Sequence, residues 1–510
     1  MGAGNLCLIA LTAFPTAVGV LAGTLSPQGG EGSRKDSSGK TEMTPYAKIR
    51  VVDASTGRGI PLVELRTVNG IRHVTDSRGL VAFHEPGLMD REVFFHLKSP
   101  GYEREADGFG YRGVALTPRA GQEARVEMTR VNLAERLCRL TGQGIYRDTL
   151  LLGEAAPIPN PVLNGGVMGQ DTAQAEIYRG KMMWFWGDTD RTSFPLGNFH
   201  TTGAIATLPK GGADQGIEFR YFTKPDGFVR AMIESKESLP IWVSGMAVLG
   251  KGSNESLYAY YAQVRSLSEI ASSGYLKWND AAERFDIAQT FAKDRGWRFL
   301  DGHTVQHEGY ILGNDPPNVR VRADAESLLK AEAYEAYTCL DEKGEVRRID
   351  GKPDYRWQKS LPPISSTIEA RLVREGKLRA EETHFLPLDT EGKAVEIHNG
   401  SVHWNASRKR WIGIFGRKGG KDSALGEIVY AEADAPTGPF LYAVKVCDHP
   451  KYTFYNPVHH AFLDKGSTIY FEGTYTAEFS GNEDKTPLYN YNQLLYKLDL
   501  NDPRLAHAKT

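Results

Sequence analysis

A hairpin with an aromatic second strand and polar ends recurs five times along this 510-residue chain. No other feature restricts the fold as much. The first copy runs from Asp171 through a turn at Tyr178-Arg179-Gly180 to the apolar stretch Met182-Met-Trp-Phe-Trp186, and ends at Asp188. Later copies span 242–263, 301–314, 396–417 and 455–475, with turns at 252–254, 308–309, 406–409 and 464–466. Further strand patterns follow each pair, as at 274–278 with 285–288 and 426–432 with 440–444. Four-stranded units repeated in this way predict a β-propeller. Five copies predict five blades over residues 144–503, closed by pairing of 144–152 with the last blade. In such a ring the starts of the inner strands and the ends of the second strands gather on one face. The repeated polar positions therefore converge there.

The stretch ahead of the repeats is also all-β. From 46 to 130, short alternating runs are separated by turn signals at Ala54-Ser-Thr-Gly-Arg-Gly59, Asn69-Gly70 and Ser77-Arg78-Gly79, which predicts a small β-sandwich. Residues 131–143 read as a short linking helix with Asn132 as its cap, and 322–331 as a helical insert in the third blade. Residues 6–25 are apolar and 26–40 are rich in Gly and Ser. Residues 1–25 are therefore expected to be a signal peptide, or a retained anchor, followed by a flexible linker at 26–45. The expected location is secreted, periplasmic or at the cell surface.

Composition narrows the function. A net charge of -2 gives no electrostatic case for nucleic acid or an anionic membrane. The four cysteines, Cys7, Cys138, Cys339 and Cys447, include no Cys-x-x-Cys pair, so neither a disulfide framework nor a zinc site is indicated. No P-loop, dinucleotide fingerprint, Gly-x-Ser-x-Gly or zinc-protease motif is present, and no cofactor is implied.

Two stretches resemble known families. The run VVDASTGRGIPLVELRT, with the later TDSRGLVAFHEPG and LKSPGYE, resembles the carboxypeptidase-regulatory-like, transthyretin-type sandwich of exported bacterial proteins. Such a domain implies a spacer or binding module. The segment GQDTA…YRGKMMWFWGDTD resembles the five-bladed propeller glycosidases related to glycoside hydrolase families 32, 43 and 68. It is closer still to the family catalogued as domain of unknown function 4185. The stretch YNPVHHAFLDKGSTIYFEGTYT is a weaker match of the same kind. The resemblance implies that Asp171 matches the first-blade aspartate and Asp188 that of the Gly-Asp-Thr element. In the third blade the pattern departs, because His303 stands where a clear acid is missing.

The expected function is an exported glycoside hydrolase acting on a poly- or oligosaccharide through carboxylates in the funnel. The alternative is a non-catalytic carbohydrate-binding or surface protein. Glycoside hydrolysis needs two carboxyls flanking the scissile bond. Asp171, Asp188 and Glu472 are the candidates, the last two at equivalent places in the first and fifth copies. His303, His398, Asn399, Arg417, Asn456 and His459 are candidates for contacts to sugar hydroxyls, a stronger reading for the histidines than a metal. His460 is the competitor of His459, since only one of two successive residues faces the funnel. Trp184, Trp242 and Trp404 are candidates for stacking on a sugar ring, with a core role the stronger reading.

Overall fold

Strand alternation decides which residues meet between sheets. In Lys181–Trp186, Met183 and Phe185 face one way, and Trp184 and Trp186 face the other. Both faces are apolar, so this strand needs a packed neighbour on each side. The computed structural model of the protein describes residues 44–198, 200–234, 239–266 and 269–509. The signal-peptide or anchor reading, Cys7 and almost all of the linker reading lie outside those residues.

Two four-stranded sheets come first. One has the order Leu80–Phe83, Ala47–Asp53, Glu123–Arg130, Tyr102–Glu103. The other has the order Arg72–Val74, Glu64–Thr67, Val93–Lys98, Gly113–Leu116. They share a core that includes Ile49, Val51, Leu65, Phe83, Phe95 and Val126.

Five large sheets of four or five strands follow, each antiparallel throughout. The first is Gln174–Tyr178, Lys181–Trp186, Thr202–Thr207, Glu218–Tyr221. The second is Ile241–Leu249, Ser256–Ser266, Glu269–Asn279, Arg284–Thr290. The third has five strands, Val305–His307, Tyr310–Gly313, Val319–Arg322, Glu335–Thr338 and Arg356–Gln358. The fourth is Ile397–Asn405, Arg410–Arg417, Ile428–Ala433, Ala443–Cys447. The fifth is Thr453–His459, Thr468–Thr476, Asn492–Asp499 and, from far upstream, Glu135–Arg139.

The fold is all-β, and these sheets stand around one axis as in a β-propeller. Their inner strands or the turns into them are tied in sequence: Gly245 N–H donates to Gly302 O (2.9 Å), His459 N–H to Ser401 Oγ (2.7 Å), and Asn456 Nδ2 to Thr172 Oγ1 (2.8 Å). A separate apolar cluster fills each interface between successive sheets. Phe185 meets Val243 and Leu257, Tyr260 meets Ile311, and Cys339 meets Phe415. Ile412 meets Phe471, and Tyr470 meets Trp184 to close the ring. Cys138, Cys339 and Cys447 are buried free thiols. Among the described residues no helix is long and apolar enough to cross a membrane.

Two sequence expectations are corrected. The linking helix at 131–143 is instead the strand Glu135–Arg139, and it closes the ring by pairing Cys138 with Leu495 and Arg136 with Tyr496. The ring-closing strand expected at 144–152 contains the short helix Arg147–Leu151. Ala, Leu, Glu and Arg favour helix locally, but the open edge of Asn492–Asp499 offers a full row of hydrogen bonds. Tertiary partners also make burial of Arg136 tolerable. Its guanidinium donates to Pro61 O (2.9 Å), Pro100 O (2.8 Å) and Ser99 Oγ (2.5 Å) of the N-terminal sheets. The ring thus begins near Glu135. The helical insert is shorter than expected, Ala325–Leu328, capped by the Asp324 side chain.

Candidate active site

Asp171 does not open the inner strand, as expected from sequence, but precedes it. It sits in a junction between Val167–Gln170, which pairs with Thr189–Arg191 in a small separate sheet, and Gln174–Tyr178 of the first large sheet. Thr172, at φ 52°, makes the turn between them. Asp188 sits in the mirror-image junction on the returning strand. The two are locked together: Asp171 N–H donates to Asp188 O (3.3 Å), Gly187 N–H to Asp171 O (3.0 Å), and Asp188 N–H to Asp171 Oδ1 (2.7 Å). The hairpin thus brings both aspartates to one place.

The surroundings give this pair an unusual affinity for protons. Asp171 Oδ2 accepts from the Tyr455 hydroxyl at 2.7 Å, and the Tyr491 and Thr172 hydroxyls also stabilise its charge. Burial nevertheless holds the Asp171 carboxyl above the usual carboxylate range. Asp188 is pushed further, well above that range, by burial and then by the charge of Asp171. Its Oδ1 accepts from Trp242 Nε1 at 2.9 Å. Two interacting carboxyls held this way titrate as a pair and release their protons in separate steps.

Polar groups from other sheets complete the rim. Asn399 Nδ2 donates to Asn456 Oδ1, and Asn456 Nδ2 to Thr172 Oγ1 at 2.8 Å. This chain leads from the fourth sheet to the residue beside Asp171. Asn456, at φ 49°, interrupts the inner strand of the fifth sheet, where the register shifts between Tyr455 and Val458. His398, at the start of the fourth inner strand, is half-buried and pushed down to about 4 by burial and by Lys418, so its ring is neutral at neutral pH. Ser244 Oγ donates to Asp301 Oδ1 at 2.7 Å between the second and third sheets.

Four expected site residues are engaged elsewhere. Glu472 is fully buried, with Oε1 accepting from Trp184 Nε1 (3.1 Å) and paired with His460 Nε2 (2.6 Å) inside the fifth–first interface. The cause is strand length: Thr468–Thr476 runs on four residues past Glu472, which leaves it mid-strand. His303 lies on the axis, 9% exposed, with Nδ1 against Gly400 O and Nε2 against Ala173 O, both at 3.1 Å. Burial opposes its charge, but Asp315 and these carbonyls outweigh it and raise its pKa above the ordinary histidine value, and the ring ties three sheets together. His459, 1% exposed, holds Asp464 Oδ1 at 2.9 Å and lies edge-on to the His403 ring. Arg417 is committed to Asp389 (3.1 Å) and Glu427 (3.5 Å). Trp184 is core, as the stronger reading had it, and Trp404 is exposed.

The sequence reading missed Tyr455, Tyr491 and Glu478 and did not foresee the bond from Trp242 to Asp188. Glu478 is half-buried, and its carboxyl is raised by burial and by the charges of Asp190 and Asp171, against Lys485. Its signal was present in the sequence. Continuing the strand pattern through Thr474-Tyr-Thr476 moves the polar end from Glu472 to Glu478.

No family model matches the chain, and no curated protein matches it. Solved structures show a remote likeness. An α-L-arabinofuranosidase of Fusarium graminearum with an iminosugar inhibitor is 12% identical, at a TM-score of 0.36, over 72% of this chain and 99% of that one. The GH43_1 enzyme of Xanthomonas citri with xylotriose is 12% identical, at a TM-score of 0.30, over 66% and 87%. An exo-1,5-α-L-arabinanase from a bovine ruminal metagenomic library is 8% identical, at a TM-score of 0.34, over 66% and 94%.

Proposed function

We propose that this chain is a glycoside hydrolase acting on a poly- or oligosaccharide at the mouth of the ring. One observation carries the reading: Asp171 and Asp188 form an interlocked pair whose carboxyls both hold protons more tightly than ordinary aspartates. Paired carboxyls with raised and separated proton affinities are what acid–base cleavage of a glycosidic bond requires. A binding protein needs no such pair. Asp171 is the base, since its two oxygens are positioned by hydrogen bonds that stabilise its anion. Asp188, held higher by burial and by the charge of Asp171, keeps its proton while Asp171 is ionised. Asn399, Asn456 and His398 line the rim as hydroxyl contacts.

The test is a panel of polysaccharides and oligosaccharides, with arabinan, xylan and galactan included, incubated with the wild type and with Asp171→Asn. Turnover is expected from the wild type and none from the variant, with melting temperatures within a few degrees of each other. A variant that unfolds, or that keeps wild-type turnover, would show that Asp171 is structural. We also propose that the five large sheets are the complete set of blades and that the N-terminal sheets form a transthyretin-type sandwich. We propose too that residues 1–25 direct export, to be checked by N-terminal sequencing of protein recovered from outside the cell.

A further inference from the structure

Asp188 is interlocked with the base on one hairpin and its Oδ1 is committed to Trp242, so the proton that a departing sugar oxygen needs calls for a third carboxyl. We propose that Glu478 is the proton donor, a role that rests on the glycosidase reading above. Its position follows from strand geometry. Asp188 stands two residues beyond the end of Lys181–Trp186, and Glu478 stands two residues beyond the end of Thr468–Thr476. These are the second strands of the first and fifth sheets, which adjoin at ring closure. Both strands run toward the mouth, so their ends rise side by side.

The local structure holds the backbone of Glu478 in place. Its N–H donates to Thr476 Oγ1 (3.1 Å), and its carbonyl accepts from Thr453 Oγ1 (2.6 Å). Asn490 Oδ1 accepts from the preceding Ala477 N–H at 2.8 Å. The following residue, Phe479, takes the left-handed conformation at φ 62° and packs edge-on against Tyr455, the tyrosine that bonds Asp171. A bulky residue held at such an angle marks a turn that the surrounding structure enforces. Among the described residues the Glu478 carboxylate accepts no hydrogen bond, whereas Asp171 and Asp188 both do. The charges it faces are Asp171, Asp188, Asp190 and Lys485.

In the step, the bond from the anomeric carbon to the leaving oxygen breaks and its electron pair stays with that oxygen. That oxygen takes the Glu478 proton. Water forms the new bond to the anomeric carbon and gives a proton to Asp171. Solvent then returns Glu478 and Asp171 to their starting states, so the net change is addition of one water across the glycosidic bond.

The test compares two glycosides of one sugar, a 2,4-dinitrophenyl glycoside, whose leaving group needs no proton, and a methyl glycoside, whose leaving group does. Glu478→Gln is expected to lose about 10²–10⁴-fold on the methyl glycoside and to stay within about tenfold on the dinitrophenyl one. It should also lose the alkaline limb of its pH profile. Glu478→Asp, which keeps an acid, should recover part of the lost methyl-glycoside turnover. Equal losses on both substrates, or none on either, would overturn the proposal. If Asp171→Asn is dead on both while Glu478→Gln matches the wild type, Glu478 falls and the glycosidase reading stands. If the wild type cleaves neither glycoside of any sugar on the panel, both fall.

Discussion

At the scale of single residues, the site depends on how charge is kept apart. Asp171 and Asp188 are near enough for one charge to raise the other's proton affinity. Asp188→Asn replaces a carboxyl that still holds its proton when Asp171 ionises, and its side-chain oxygen can still accept from Trp242. The acidic limb of kcat/KM, set by Asp171, is therefore expected to stay in place. A limb that moves down would show that Asp188 is already charged when Asp171 ionises. Glu176 shows the same physics away from the site. It lies half-buried toward the axis near His303, and burial, only partly opposed by His303, raises its carboxyl from 4.5 to about 8. The folded chain therefore binds this proton more tightly than the unfolded chain. That contribution is complete below pH 4.5 and lost as pH climbs through about 8. Glu176→Gln is expected to melt above the wild type at pH 9 and level with it at pH 4. An equal difference at both values would assign the effect to packing instead.

At the scale of elements, the inner strands carry the site because they are broken where they reach the mouth. Thr172 and Gly302 stand just before two inner strands and Gly245 and Asn456 interrupt two others, and all four take positive φ, between 49° and 61°. A straight strand pairs all its backbone groups with its neighbours. A kinked one turns side chains and carbonyls toward the axis. Gly245 and Gly302 have a second reason to be glycine: a Cβ at Gly245 would lie 2.3 Å from Leu300 O, and one at Gly302 would lie 2.2 Å from Asp315 Oδ2. The repeat was legible in sequence because each copy alternates around aromatic residues. The kinks were not, since no local signal separates a bulge from a strand start. That is why Asp171 is expected at the head of a strand and is found before it.

At the scale of the whole molecule, the N-terminal sheets are fastened to the ring by buried polar groups. Arg136 of the ring-closing strand, 1% exposed, donates to backbone carbonyls and a serine of those sheets, and stacks 5.3 Å above the Tyr102 ring. Asp76 Oδ2 accepts from both the N–H and the hydroxyl of Thr149 at 2.7 Å, and Tyr489 donates to Thr75 O at 2.8 Å. Arg72 pairs at 2.6 Å with Asp484, in the same excursion from the fifth sheet that carries Glu478 and Tyr491. The N-terminal sheets therefore brace a wall of the site. Arg136→Met would strand several buried acceptors and is expected to cost about 3 kcal/mol in urea denaturation. A loss under about 1 kcal/mol would mean that water replaces the guanidinium.

The sequence by itself determined the all-β class, the repeating hairpin, the separate N-terminal sheets and the meeting of Asp171 with Asp188. Each follows from short-range alternation and from turns between neighbouring strands, which depend on residues close together in the chain. The tertiary structure alone decided the fate of Glu135–Arg139, whose helix-favouring residues become a strand because a distant edge needs a partner. It also tied His303 across three sheets, held His459 on Asp464, consumed Arg417 in ion pairs and buried Glu472 against Trp184. A polar residue in a strand carries no mark in sequence of whether it faces solvent, a ligand or a buried partner. That distinction rests on which groups, hundreds of residues away, stand opposite it when the ring closes.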